Sequence, residues 1–221
     1  MVFYFEPRGY NASTGDYLIY MGEDKYENEL LIKNALDLDV WFHVDALSSA
    51  HVYLRMPRGW VWGRDAIPSE ALEDCCQLVK ANSIAGCKQP FVAVVYTPSH
   101  NLKKTAAMDV GQVSFKDASR VRREPIVRRD AAAVNRLNRT KREVKKPDLE
   151  GQLAAREKEI RDQANAQAQR EREEQRLAAE EARREKEYKS YDRLMDPESM
   201  ISTSQMKDTY GTAEDYEDNF L

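Results

Sequence analysis

Val40-Trp41-Phe42-His43-Val44 and His51-Val52-Tyr53-Leu54-Arg55 are the two stretches on which the fold turns. Both are dense in β-branched and aromatic residues, which fit a pleated, half-buried surface, so each predicts a strand, with Asp45 to Ala50 joining them. Alternation along the first strand puts Trp41, His43 and Asp45 on one face and Phe42 and Val44 on the other. Upstream, Val2 to Glu6 and Tyr17 to Met21 read as strands separated by Gly9, Asn11, Ser13 and Gly15, all turn formers. Between the second and third strands, Lys25 to Leu36 carries Tyr26, Leu30, Leu31 and Ala35 at helical spacing, with Glu23 and Asp24 at the dipole-favoured start. Downstream, Pro57 to Asp65 is a glycine-containing loop with Trp60 and Trp62, and Pro68-Ser69-Glu70 opens a second helix that ends near Gly86. Phe91 to Tyr96 is an unbroken apolar run, the pattern of a strand covered on both faces. Gln112 to Phe115 and Val121 to Val127 are weaker strands. The predicted class is α+β: a small mixed sheet of about six or seven strands packed by two helices.

This head spans residues 1–129. A basic helix is predicted over 130–146, with Ala131, Ala132, Ala133, Val134 and Leu137 on one side, and Pro147 interrupts it. Residues 147–195 form a charged long helix or weak coiled coil. Leu149, Leu153 and Ile160 begin an apolar seam that Ala164, Gln167 and Gln175 then occupy, which favours a solvated single helix over a dimeric coil. Residues 196–221 are acidic and rich in Ser and Thr, the composition of a disordered tail.

The total charge of −4 conceals a segregation. Residues 98–147 hold 14 basic and 5 acidic side chains, whereas 1–97 and 194–221 are net acidic and 148–193 is close to neutral. A basic block set among acidic ones predicts a local polyanion contact. No stretch is apolar and long enough to span a membrane, and Met1 to Glu6 lacks the layout of a signal peptide, so a soluble, cytoplasmic protein is expected. Three cysteines without a Cys-x-x-Cys pair predict neither a disulfide framework nor a metal site, and buried thiols are the better reading. No cofactor is expected.

Lys103-Lys104-Thr105 follows the apolar strand through a loop and offers two ammonium groups and a hydroxyl to phosphate oxygens; the alternative is a solvated lysine pair. Arg120, Arg122, Arg123, Arg128 and Arg129 flank the last strand. Guanidinium groups bind phosphate through two hydrogen bonds and stack on bases, although ordinary ion pairing with the acidic head would also account for them. Arg136, Arg139 and Arg142 continue the basic surface along the predicted helix. His43 beside Trp41 reads as a ligand or RNA contact or as a structural hydrogen-bonding residue. Ser48, Ser49 and His51 nearby lack the Gly-x-Ser-x-Gly turn of a nucleophile elbow, so no catalytic residue is assigned and no enzyme is expected. Trp60 and Trp62 are base-stacking candidates or loop anchors.

Several long words recur in order: Met21-Gly22-Glu23-Asp24-Lys25-Tyr26-Glu27-Asn28-Glu29, Asp39-Val40-Trp41-Phe42-His43-Val44, Ser48-Ser49-Ala50-His51-Val52-Tyr53-Leu54-Arg55, Lys80-Ala81-Asn82-Ser83-Ile84, Val94-Val95-Tyr96-Thr97 with Asn101-Leu102-Lys103-Lys104-Thr105, and Asp109-Val110-Gly111-Gln112-Val113-Ser114-Phe115. Together they closely resemble the NFACT-R domain, an RNA-binding module also found in ribosome quality-control proteins, and most closely its stand-alone members, the coiled-coil domain-containing protein 25 family. The resemblance implies contact with rRNA or tRNA at the ribosome, in translation or its quality control. The larger quality-control proteins carry further domains that this chain lacks, which puts tail elongation in doubt. A DNA-binding or nucleic-acid-sensing adaptor, and a scaffold that binds protein through the long helix, are the competing readings.

Overall fold

A computed structural model describes residues 1–14 and 16–190; the acidic tail expected over 196–221 lies outside them. Two compact units are present, residues 1–159 and a second beginning at Ile160. The first is built on a seven-stranded sheet in the order β8-β5-β3-β4-β2-β1-β9. Its strands are β1 (Val2–Phe5), β2 (Leu18–Gly22), β3 (Asp39–Val44), β4 (Val52–Arg55), β5 (Phe91–Pro98), β8 (Arg122–Arg128) and β9 (Arg142–Val144). Every pairing within it is antiparallel, where strands of both directions were expected. A two-stranded ribbon of β6 (Leu102–Lys103) and β7 (Ser114–Phe115) is separate.

The register of β3 on β4, Trp41 opposite Tyr53 and Phe42 opposite Val52, carries the predicted alternation across the sheet. One face gathers Phe5, Ile19, Val40, Phe42, Val52, Leu54, Val94 and Tyr96. Helix α2 (Ser69–Ala81) covers it with Ala71, Cys75, Cys76, Leu78 and Val79, and α3 (Ala131–Arg139) adds Leu137. The other face carries Val2, Tyr20, Trp41 and Tyr53, packed by Leu31 of α1 (Lys25–Asn34), Leu102, Phe115 and Leu149. Both faces are therefore dry, and the layers run helix, sheet, then helix with loop. Asp24, expected only as an acid at the dipole-favoured start, is the cap of α1, accepting from the Tyr26 and Glu27 amides at 2.8 and 2.9 Å.

The basic helix expected over 130–146 ends at Arg139, and Arg142–Val144 is an edge strand on β1, with Tyr4 opposite Arg142 and Val2 opposite Val144. The reason is tertiary. β1 would otherwise expose a row of unpaired backbone groups, and three residues of passing chain satisfy them. Thr140 makes the turn, its hydroxyl donating to the Leu137 carbonyl and accepting from the Glu6 amide. Cys75 and Cys76 are buried free thiols as expected, while Cys87 is exposed because the chain has already left α2 for a 3-10 turn at Gly86–Lys88. Among the described residues no helix is long and apolar enough to cross a membrane.

Helix α4 (Leu149–Lys189) is predominantly polar, with Leu149 packed on the core and no buried residue along it. In the first unit, Arg156 pairs with Asp37 at 2.9 Å and with Glu159 at 3.0 Å. From Ile160 onward the helix surface carries i,i+4 pairs, Arg184–Glu180 and Lys189–Glu185, at 2.8 and 2.6 Å.

Candidate nucleic-acid interface

The cations that follow Tyr96 do not form one surface. Lys104, read as a phosphate ligand, is a structural clamp: its ammonium donates all three protons, to Glu29 Oε1 at 2.6 Å and to the carbonyls of Asp109 and Gln112 at 2.7 and 2.9 Å. Glu29 also accepts from the Gly111 amide at 2.6 Å, and Gly111 adopts φ +84°, a conformation that favours glycine. Burial acts to raise the Glu29 carboxyl, but Lys104 and the Gly111 amide outweigh it and hold the group below its usual range. Thr105 is exposed at the start of the loop closed by this clamp.

Arg136 is engaged in the same way. It and Arg8 converge on the buried carboxylate of Asp74, which also accepts from the Arg8 amide at 2.9 Å, tying α3 and the β1–β2 connection to α2. Arg142 lies 3.4 Å from Glu6 on β9, the edge opposite β8. Arg139, exposed one turn earlier, belongs to that side too, because α3 starts beside β8 and ends beside β1. Six inter-strand steps, roughly 29 Å, separate the two edges.

Trp41 is buried and cannot reach a ligand at the surface. It stacks on His43, with centroids 5.3 Å apart, and meets His51 and Phe115 edge-on. His43 is half-buried, and its Nδ1 lies 2.7 Å from the Val44 carbonyl, so that nitrogen carries the proton; burial lowers its pKa. His51 is 3% exposed, and burial, followed by the neighbouring His43, lowers its pKa to about 3. A group neutral in the fold but free to protonate in the unfolded chain costs stability as pH falls below about 6.5. Unfolding by urea should therefore show stability intact at pH 7 and about 2 kcal/mol lower at pH 5. His51→Gln should flatten that slope; a slope that persists in the variant assigns the loss to other groups.

What remains is the β8 edge. Arg123 and Arg128 project from β8 beside exposed Ile126 and Phe91, which are 63% and 54% accessible, and Arg120 and Arg129 bracket the strand. Arg123 makes an exposed pair with Asp45 at 2.8 Å, a contact that contributes little in water and can be exchanged for phosphate. Arg122 points to the other face, its guanidinium 4.7 Å over the Trp62 ring, which in turn meets Tyr96 edge-on. Trp60 and Trp62 thus anchor their loop on the core. Lys103, exposed on β6, sits on the ribbon that leads into this edge. The outer backbone of β8 is unpaired, and Arg123, Ile126 and Arg128 are exposed along it, with half-buried Glu124 among them.

Sequence reasoning missed Lys80, a lysine that α2 buries among Cys76, Val79 and other apolar side chains. The available signal was a charge standing four residues from Cys76, inside an apolar helical stripe. Among the described residues no group of three or more His, Cys, Asp or Glu side chains is placed to hold a metal ion.

Residues 1–117 match the family described as the NFACT protein RNA binding domain, a span that ends just before β8. Coiled-coil domain-containing protein 25 of Mus musculus is 50% identical over 209 residues, covering 95% of this chain and 98% of the mouse protein. The Dictyostelium discoideum homolog is 48% identical over 161 residues, 73% of this chain and 74% of that one. Protein JLP2 of Saccharomyces cerevisiae is 44% identical over 146 residues, 65% and 69% of the two chains. With a domain match over more than half its length and half its residues shared across nearly all of it, the chain belongs to the NFACT-R family, in the group of coiled-coil domain-containing protein 25.

Proposed function

We propose that this protein binds RNA without catalysing a reaction on it, and that its target is rRNA or tRNA at the cytoplasmic ribosome, in translation or its quality control. The observation that carries the reading is the match of residues 1–117 to an RNA-binding domain, in a chain whose next strand is an open edge lined with arginine. Such an edge offers guanidinium forks for phosphates and, through Phe91 and Ile126, apolar surface for unstacked bases. Of the Ser and His side chains beside Trp41, the Ser49 hydroxyl is spent on the Ala50 carbonyl and the Val44 amide, and buried His51 is held neutral by a dry environment rather than tuned toward physiological pH. The charged helix from Ile160 to Lys189 serves in this reading as a spacer or docking arm.

The test is binding of labelled single-stranded RNA at two salt concentrations, with tRNA, rRNA fragments and duplex DNA as competitors, followed by sedimentation with ribosomal subunits before and after nuclease. The expected result is RNA binding that weakens with salt, preference for RNA over duplex DNA, and nuclease-sensitive sedimentation with subunits. Stronger competition by duplex DNA overturns the choice of nucleic acid, and ribosome association insensitive to nuclease favours a protein contact instead.

A further inference from the structure

A cavity of about 430 Å³ lies between the C-terminal end of α2 and the N-terminal end of α3. Lys80, Lys88 and Arg129 line it together with Gln77, Val134 and Asn135, and none of its lining residues is acidic. That composition is unlike the cation sites described above. Lys104, Arg123, Arg136 and Arg142 each face a carboxylate, whereas Lys80, Lys88 and Arg129 form no ion pair among the described residues.

The site is built from the interior outward. Lys80 is 1% exposed, and its ammonium donates to the carbonyls of Gln89 at 2.9 Å and Gly86 at 3.3 Å. An ammonium has three protons, so one remains for the cavity. Gln77 staples the opposite wall: its side-chain amide donates to the Arg128 carbonyl at 2.7 Å, and its carbonyl accepts from the Asp130 amide at 2.8 Å. Both flanks of Arg129 are thereby fixed, which sets the guanidinium at the cavity. Asp130, the next acid along the chain, is spent on the Ala132 and Ala133 amides as the cap of α3. Burial pushes the Lys80 ammonium downward; Cys87 acts against that shift, and Arg129, more weakly, adds to it. Lys80 and Arg129 repel each other across the cavity and Lys88 lines it too, with no acidic side chain among the lining residues; a bound anion relieves that repulsion.

We propose that this cavity seats one phosphate of a bound RNA strand, gripped by Lys80, Lys88 and Arg129, with the sugar against Ala131 and Val134. Its volume falls in the range of small-ligand sites and admits a single nucleotide unit. Arg129 follows Arg128 directly, so the seat continues the arginine strip of β8, and a strand lying along that edge would end in it. This assignment rests on the RNA-binding reading and locates its anchor point.

The test compares the full chain with Lys88→Gln/Arg129→Gln, both exposed positions whose loss leaves the core intact. RNA affinity is measured across a salt series, and backbone amides are followed by NMR on adding inorganic phosphate, adenosine 5′-monophosphate, or an RNA oligonucleotide with or without a 5′-phosphate. The expected result is about a tenfold loss of RNA affinity in the variant, a salt dependence shallower by ~0.7 for one lost single-strand contact, and RNA-induced shifts at Gly86 to Gln89 and Ala131 that the variant lacks. An oligonucleotide that needs its 5′-phosphate for those shifts identifies the strand terminus as occupant; one that does not identifies an internal phosphodiester. If the native chain binds RNA and the variant matches it in affinity and salt dependence, the seat is rejected and the RNA-binding reading stands. If the native chain binds no RNA, that reading fails. Shifts at the same amides with adenosine 5′-monophosphate would then assign the cavity to a free nucleotide, and their absence would dismiss it.

Discussion

Asp39→Ala is expected to remove about 3 kcal/mol of folding stability, the cost of leaving a largely buried guanidinium, a buried phenol and a buried amide without their acceptor. Asp39 is fully buried at the start of β3, and its carboxylate accepts four hydrogen bonds. Arg55 supplies two, from Nε at 3.0 Å and from a terminal nitrogen at 3.3 Å; the Tyr20 hydroxyl lies at 2.6 Å and the Leu36 amide at 2.7 Å. The guanidinium also lies over the Tyr20 ring, 5.2 Å from its centroid. These contacts cross β3, β4 and β2, the middle of the sheet, so truncation strands a guanidinium, a phenol and an amide together. A domain of this kind is stable by ~5–15 kcal/mol in total, and the variant should populate unfolded forms under mild conditions. Urea unfolding would show the midpoint falling sharply. Asp39→Asn keeps an acceptor for the phenol and the amide and should lose less. A loss under about 1 kcal/mol for alanine would mean that solvent reaches Arg55 and that the network does not hold the sheet centre.

The second large effect is functional. Arg120→Gln/Arg123→Gln/Arg128→Gln should weaken single-stranded RNA binding roughly 100-fold, on the order of 1 kcal/mol for each exposed phosphate contact. The salt dependence should become shallower by about 2, at ~0.7 per contact. The matched control is Arg139→Gln/Arg142→Gln/Lys145→Gln, which removes the same charge from the β9 side. A general attraction between a cationic chain and RNA would make the two triple variants equal. Binding along β8 makes the first severe and leaves the second within about threefold of the native chain. Equal losses, or a larger loss from the β9 side, would move the interface away from β8. Arg122 is left in place in both variants because it braces Trp62 against Tyr96, and its removal would mix a folding defect with a binding one.

Closeness along the chain is legible in the sequence, whereas the partner each cation meets is not. Arg123 and Arg128 lie on edge strand β8, with Arg120 just before it and Arg129 just after it, as their nearness in the chain requires. Lys104, Arg136, Arg142 and Trp41 looked equally available in the sequence. Lys104 meets Glu29 from 75 residues away, and Arg136 meets Asp74 from 62. No local pattern announces such partners, because they are brought in by helices that pack on opposite faces of the sheet.

The strands other than β6 and β9, helices α1 and α2, and the two-faced character of β3 were set by the sequence alone, since alternation, apolar periodicity and turn chemistry act over a few residues. The β9 strand, the split of the basic block between two edges and the cavity around Lys80 were decided only by the tertiary structure. A helix crossing one face of the sheet carries neighbouring cations to opposite edges, and whether each charge meets a carboxylate or open water depends on segments distant in the chain.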